Sequence, residues 1–368
     1  MKKLMLLCLL WLAAFAQADV AENWWQGGYP EPFDQQQLEK KQSTVTVSGN
    51  RFVDEAGNVF LFKGVNIADP DKLAREGHWN KALFEEVKRW GANTIRLPIH
   101  PAAWDQRGPG QYFAWIDQAV VWANALDMYL IIDWHSIGNL HSGLFQHPMY
   151  VTDFQKTLDF WQKTAFRYKG VATVAVYELF NEPTHSYVGN GDYTLGAVTW
   201  QQWKTQVEAM IDLVRAYDKE VIPLVTGFNW AYDLTPVRSQ PFERDNIAYA
   251  AHPYPQKARP ENPTRAEFFR LWDEHWGFVA DKAPIIATEI GWANENEHGA
   301  HVPTINNDHT YGPNIVAYLD QRGISWTAWC FDPSWSPTMI KNWDFEPTEQ
   351  GAFFKKVLQG RYNTESAN

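Results

Sequence analysis

The chain has 368 residues, 45% hydrophobic and 20% charged, an ordinary globular composition with enough apolar material for a sizeable core. Its 32 basic residues face 43 acidic ones, and the net charge of −11 opposes binding to nucleic acid or to an anionic membrane surface. A neutral or cationic partner fits better.

The first stretch, "MKKLMLLCLLWLAAFAQA", sets two lysines before a short apolar run and ends in Ala16-Gln17-Ala18. That is the anatomy of a secretory signal peptide over residues 1–18, and the run is too short to span a bilayer as a helix. Cleavage after Ala18 and an exported product, periplasmic or extracellular, are expected. Only Cys330 is then left, so no intrachain disulfide can form.

Residues 19–43 read as an N-terminal arm, polar and rich in Gly and Pro, whose composition alone predicts a disordered lead-in. Trp24 and Trp25 do not suit that, since each indole buries roughly 150–250 Å² when it finds a home. Three docking places are open: the chain's own helices, the border of its own ligand cleft, or the cleft of a second copy in a homo-oligomer. "TVTVSGNRFVDEAGNVFLF" follows, read as a β-hairpin turning at Ala56-Gly57-Asn58 that closes the bottom of the domain.

From there, short β-rich runs alternate with longer helical patterns. The strand candidates are "VFLFKGVN" from Val59, "ANTIRLP" from Ala92, "MYLIIDWH" from Met128 and "VAVYELFNE" from Val174. "VIPLVTG" from Val221, "NIAYAAHPY" from Asn246, "PIIATEIGW" from Pro284 and "ISWTAWCF" from Ile324 complete the set. Capping boxes mark two helix starts, Thr199 with Gln202 and Thr264 with Glu267. Eight strands alternating with helices predict one α/β domain over residues 44–360, a (β/α)₈ TIM barrel. A doubly wound sheet is the alternative, but no Gly-rich phosphate loop follows the first strand.

Catalytic groups of such barrels sit where strands end at the top face. Read in order, the ends supply Arg96, then Asp133 and His135, then Asn181 and Glu182, then His252 and Tyr254, then Glu289, and last Trp329. Two carboxylates across a sugar are what glycoside hydrolysis needs, one to protonate the departing oxygen and one to support or attack the anomeric carbon. Pro183 turns the chain out of its strand and fixes Glu182 at the mouth. Arg96 can hold Glu289 ionised, Tyr254 can donate to it, and Asn181 can bond a sugar hydroxyl. His135 and His252 can order these groups. Glu178, four residues before Glu182, is expected inside the barrel, paired with a cation such as Arg96.

The chain also holds 20 tryptophans. Trp203 and Trp272 fall in helical patterns and are expected to pack on the barrel. Trp104, Trp134, Trp292, Trp329, Trp335 and Trp343 fall at strand ends or in polar loops, where indole faces can stack on pyranose rings.

The segments "ELFNEP" and "ATEIGW", with "IRLP", "DWH", "HPY" and "TAWCF", resemble glycoside hydrolase family 5, a family of retaining (β/α)₈ glycosidases, from about Val45 to Phe354. The resemblance implies Glu182 as acid/base and Glu289 as nucleophile. It implies Arg96, His135, Asn181, His252, Tyr254 and Trp329 as the rest of the reacting-sugar site. It also implies a cis peptide bond after Trp329. "DWHSIGNLHSG" and the loop "CFDPSWSPTMIKNWDFEPTEQG" resemble the bacterial cellulase and β-glucanase side. The implied reaction is endo-acting hydrolysis of β-1,4 bonds in cellulose-type or mixed-linkage glucans, with mannan as the second choice. Trp335 is a candidate platform for the leaving-group sugar or a loop-packing residue.

No metal or organic cofactor is expected, because the chain lacks an HxH pair on the first strand and any HExxH. A catalytically silent sugar-binding protein is the alternative of a different class, and the presence of both glutamates argues against it. Alternation with Trp329 points Cys330 outward beneath the helices, as a buried, inert thiol.

Overall fold

The computed structural model describes residues 28–186, 194–261, 264–306 and 309–362. A small antiparallel sheet comes first: β1 (Thr46–Ser48), β2 (Arg51–Val53) and β3 (Val59–Phe60). The barrel begins with β4 (Lys63–Asn66), β5 (Thr94–Ile99) and β6 (Tyr129–Trp134). The loop after β6 carries a hairpin, β7 (Ile137–Asn139) and β8 (Leu144–Phe145). Then come β9 (Val174–Glu178), the two-residue β10 (Glu182–Pro183) and β11 (Ile222–Val225). β12 (Ala248–Ala250), β13 (Ile285–Ile290) and β14 (Ser325–Ala328) complete the strands among the described residues.

Eight of these, β4, β5, β6, β9, β11, β12, β13 and β14, pair side by side in parallel, and β14 closes on β4. The predicted TIM barrel is what the chain forms. Every residue of β5, β6, β9 and β13 is buried, since one face points into the barrel and the other lies under helices. That double burial is why these strands read as apolar runs, and why Arg96, Glu178 and Glu289 stand out in them.

The N-terminal element is a three-stranded sheet, where a single hairpin was expected. The predicted turn at Gly57 is present, and a second at Gly49 (φ 60°) adds β1. Glycine suits that turn because its backbone is left-handed. Val45, Phe52 and Phe62 from this region pack with Ile131, Val176, Ile222 and Leu224 from the barrel strands in one apolar cluster, closing the bottom.

Of the arm, residues 28–43 pack against the chain's own helices. The Tyr29 ring lies 4.6 Å from Phe166, and its hydroxyl bonds that of Tyr217 at 2.9 Å. Phe33 is buried, and its N–H donates to the carbonyl of Arg167 at 2.8 Å. Asn124 accepts from the N–H groups of Glu39 and Lys40 at 3.0 and 3.1 Å. Trp24, Trp25 and residues 1–18 lie outside the described residues.

The helix starts follow the sequence with one difference. Thr199 and Gln202 form a complete capping box. At Thr264 only the hydroxyl half forms, accepting from the N–H of Glu267, whose carboxylate pairs with Arg270. Trp203 and Trp272 are buried as expected. Trp104, Trp134 and Trp292 are core residues as well, not sugar platforms. Trp134 faces outward from β6 and stacks on Phe160, and Trp104 packs edge-on to the same ring. Trp292 packs on Phe353 and Phe354. Among the described residues no helix is long and apolar enough to cross a membrane.

Candidate active site

Arg96 projects from the middle of β5 into the barrel, with no exposed surface. A buried cation survives only when paired. It donates through Nε to Glu178 at 2.6 Å and through Nη1 to Glu289 Oε1 at 3.0 Å, and its Nη2 lies 3.0 Å from Asp133. Asn66 and Asn181 accept from it through their amide oxygens at 2.9 and 2.7 Å. Burial alone would weaken its hold on its proton, but Asp133, Glu178 and Glu289 outweigh that and raise its pKa. The expectation that Glu178 is an internal ion-pair partner is met. Burial pushes Glu178 up, yet Arg96 and His252 hold its carboxyl below the ordinary range.

Glu289 sits near the top of β13. Tyr254, after β12, donates its O–H to Oε2 at 2.8 Å. Burial pushes the pKa of Glu289 up, with His252, Arg96 and Tyr254 pulling against it and Glu182 adding to it.

Glu182 stands just beyond β9, in the β10 segment that pairs with Ile137–Gly138 of β7. Its Oε1 lies 2.9 Å from Nδ1 of His252. The other ring nitrogen, Nε2, lies 3.0 Å from Thr288 Oγ1, and the Thr288 hydroxyl donates to Glu178 Oε1 at 2.9 Å. A carboxylate can only accept, so the Thr288 oxygen is left to accept from His252 Nε2–H. Nδ1 therefore faces Glu182 and shares a proton with it. Burial opposes charge on this ring, but Glu289, Glu178 and Glu182 push its pKa up to about 10.

His135 bonds Asp133 through Nδ1 at 2.6 Å, which leaves Nε2 for the cleft. Burial, with His100 and Arg96 nearby, pushes its pKa well down. The Trp329 indole lies parallel to it, 5.3 Å away and tilted by 7°. The peptide bond after Trp329 is cis, as the resemblance implied. Asn181 Nδ2 is buried and has no partner among the described residues.

Of the two roles open to Trp335, its contacts support loop packing: its indole stacks on Trp329 at 5.9 Å and lies against His100 and Lys72. One placement differs from the sequence reading. Cys330 is inert by burial, but it sits with Tyr254 and Trp329 at the mouth, its thiol 3.6 Å from the Asn66 carbonyl. The alternation argument fails there because regular strand ends at Ala328.

The resulting cleft, of about 460 Å³, is lined by His135, Tyr150, Glu182, Tyr254, Glu289 and Trp329. Ile137, Gln146, Trp230, Gln256, Lys257 and His301 line the rest. The sequence reading missed this second group, as it did Asn66 and Thr288. Trp230 had a usable signal, three residues past the "VIPLVTG" strand whose end was not read. Chemically, the site gathers more carboxylates than cations, which favours a developing positive charge. Glu182, His252 and Glu289 each offer a ligand atom within 4.8 Å of one another. Those atoms are already engaged with one another, with Arg96 or with Tyr254, so the trio is a bonded network before it is a metal cage.

The cellulase model of glycosyl hydrolase family 5 matches residues 53–334. A β-glucanase from Saccharophagus degradans, SdGluc5_26A, is 56% identical, with a TM-score of 0.87 over 92% of this chain and 98% of that one. A second structure of that protein holds cellotetraose. The catalytic domain of an endoglucanase from Thermobifida fusca shares the fold, with a TM-score of 0.67 at 21% identity over 86% of this chain and 97% of that one. Among curated proteins, an endoglucanase of Clostridium saccharobutylicum is 24% identical over 333 residues, 88% of this chain and 66% of that one. The chain spans about half to two thirds of the length of the first curated relatives it matches.

Proposed function

This chain belongs to glycosyl hydrolase family 5, and from that premise we propose that it is a retaining, endo-acting β-glucanase. It cuts β-1,4 bonds in cellulose-type or mixed-linkage glucans. The observation that carries the mechanism is the closeness of Glu182 and Glu289, whose carboxylate oxygens approach within 4.8 Å. Retaining pairs sit about 5–5.5 Å apart and inverting pairs about 6.5–9.5 Å, the latter leaving room for a water between. The β-glucan preference is supported by the 56% identical β-glucanase and its cellotetraose complex.

In the first step Glu289 attacks the anomeric carbon while the proton shared by Glu182 and His252 passes to the leaving oxygen. The glycosidic bond breaks, the shortened glucan departs, and a glycosyl ester remains on Glu289. In the second step Glu182 takes a proton from water, whose oxygen attacks the anomeric carbon and frees Glu289. Two inversions give net retention. Arg96 and Tyr254 hold the nucleophile, Trp329 floors the reacting sugar, and Asn181 Nδ2 bonds the hydroxyl beside the anomeric centre. Export after removal of residues 1–18 belongs to the same proposal, and Asp19 is the expected mature N-terminus.

Product profiles on barley β-glucan, carboxymethylcellulose and mannan, run side by side, test the substrate. Fast release of β-gluco-oligosaccharides with slow or no attack on mannan is expected; mannan as the best substrate would overturn it. Proton NMR of the first product, showing the β-anomer before mutarotation, tests retention.

A further inference from the structure

Beyond the two glutamates, one side of the cleft is built in a way the mechanism above does not require. The chain leaves β11 through Asn229, Trp230 and Ala231, three successive residues with φ of 58°, 55° and 56°. Side-chain-bearing residues rarely adopt this left-handed region, so such a turn persists only where its surroundings enforce it. The enforcement is visible. The Ala231 carbonyl accepts from the N–H of His252, and Lys257 Nζ donates to both the carbonyl and the side-chain oxygen of Asn229, at 2.8 and 3.0 Å. The same ammonium lies 4.4 Å over the Trp230 ring, whose Nε1 donates to Gln146 at 2.9 Å.

Lys257 has no carboxylate within ion-pair distance among the described residues. Burial pushes its pKa down to about 8, with only the more distant charge of Glu182 opposing. A cation held half-buried without a counter-ion costs stability, and such a cost is most often met at functional sites. Its position fits. Trp230 and Lys257 line the cleft with Glu182, the group that protonates the departing oxygen.

We propose that Lys257 is a positioning residue that locks the Asn229–Ala231 turn and fixes the Trp230 indole as the wall against which the leaving-group sugar is held. The inference rests on the reading of Glu182 as the acid. Lys257 touches neither the anomeric carbon nor the nucleophile; it acts through Trp230.

The test compares cellotetraose, which has sugars on the leaving side, with an aryl cellobioside, which does not. In Lys257→Met the ratio of kcat/KM on cellotetraose to that on the aryl substrate should fall about tenfold, largely through KM, the scale of a wall misplaced by a fraction of an ångström. Trp230→Ala should lower the same ratio, and Lys257→Arg, which keeps charge and donors, should restore most of it. Equal loss on both substrates, or an unchanged ratio in Lys257→Met, would overturn the inference while leaving the β-glucanase reading in place. A wild-type enzyme that cleaves the aryl glycoside but no gluco-oligosaccharide would remove that reading, and this inference with it.

Discussion

The Tyr254 hydroxyl donates to Oε2 of Glu289 at 2.8 Å, while Oε1 of the same carboxylate is taken by Arg96. Glu289, the proposed nucleophile, is thus held by two donors, in a pocket whose dryness pushes its pKa above the ordinary glutamate value. Each donor favours the ionised form, so removing one raises the pKa further. Tyr254→Phe should move the acid limb of the kcat/KM profile to higher pH. It should also lower kcat/KM at the optimum by about tenfold to a hundredfold, the worth of a hydrogen bond to a charged group. A profile shifted toward lower pH would contradict the assignment.

Glu182→Gln removes the proposed acid and leaves the proposed nucleophile. Activity on polysaccharide should drop by about 10²–10⁴, the usual contribution of general acid catalysis. Aryl substrates with good leaving groups should still form the glycosyl–enzyme. Azide should then accelerate turnover and yield a β-glycosyl azide. Absence of azide rescue would place the acid/base elsewhere. Glu289→Gln should be inactive on every substrate, azide or not.

The Glu182–His252–Thr288–Glu178 chain makes a separate claim. Thr288→Val keeps the shape but deletes the hydroxyl that accepts from His252 Nε2–H and holds the ring against Glu182. Substrates with poor leaving groups, which need the proton, should slow by about tenfold more than activated aryl glycosides. A uniform loss would mean that Thr288 only packs.

His252 also links stability to pH. Its pKa rises from the ordinary 6.5 to about 10 on folding, so the ring takes up its proton more readily in the native state. The sign follows: the stabilisation is complete below pH 6.5 and is lost as pH climbs through about 10. Thermal melts should show Tm falling across that window, and His252→Gln should flatten that part of the curve.

Dialysis against EDTA should leave activity unchanged, because Glu182, His252 and Glu289 are bonded to one another, to Arg96 or to Tyr254. Loss of activity restored by one particular metal would give the Glu182, His252 and Glu289 cluster a different role.

Much of this was legible in the chain because barrel strands alternate so regularly. Once eight apolar runs are marked, Arg96, Glu178, Glu182 and Glu289 are conspicuous as charges that only a shared site could tolerate. What escaped was set by geometry without a sequence period. The turn at Gly49 that adds β1 depends on one left-handed glycine. Trp104, Trp134 and Trp292 looked like loop platforms because burial depends on which side of a strand or helix an indole leaves. Trp335 sits in a loop whose path no pattern fixes, and it lies behind Trp329. Lys257 matters through Asn229 and Trp230, partners 28 and 27 positions away whose contact the sequence alone does not reveal.

Arg96 serves at once as counter-ion to Asp133, Glu178 and Glu289 and as donor to Asn66 and Asn181. One guanidinium therefore ties together residues from five of the eight strands, β4, β5, β6, β9 and β13, or from just past their ends. Changes among these partners must be strongly non-additive, because each alters the charge balance that the others sense. An evolving lineage cannot adjust them singly. The cleft wall is tied by a smaller network, in which the side chains of Trp230, Gln146 and Lys257 each link to one or two neighbours among the described residues. Divergence in substrate preference should accordingly accumulate along that wall, around a chemical floor that stays fixed.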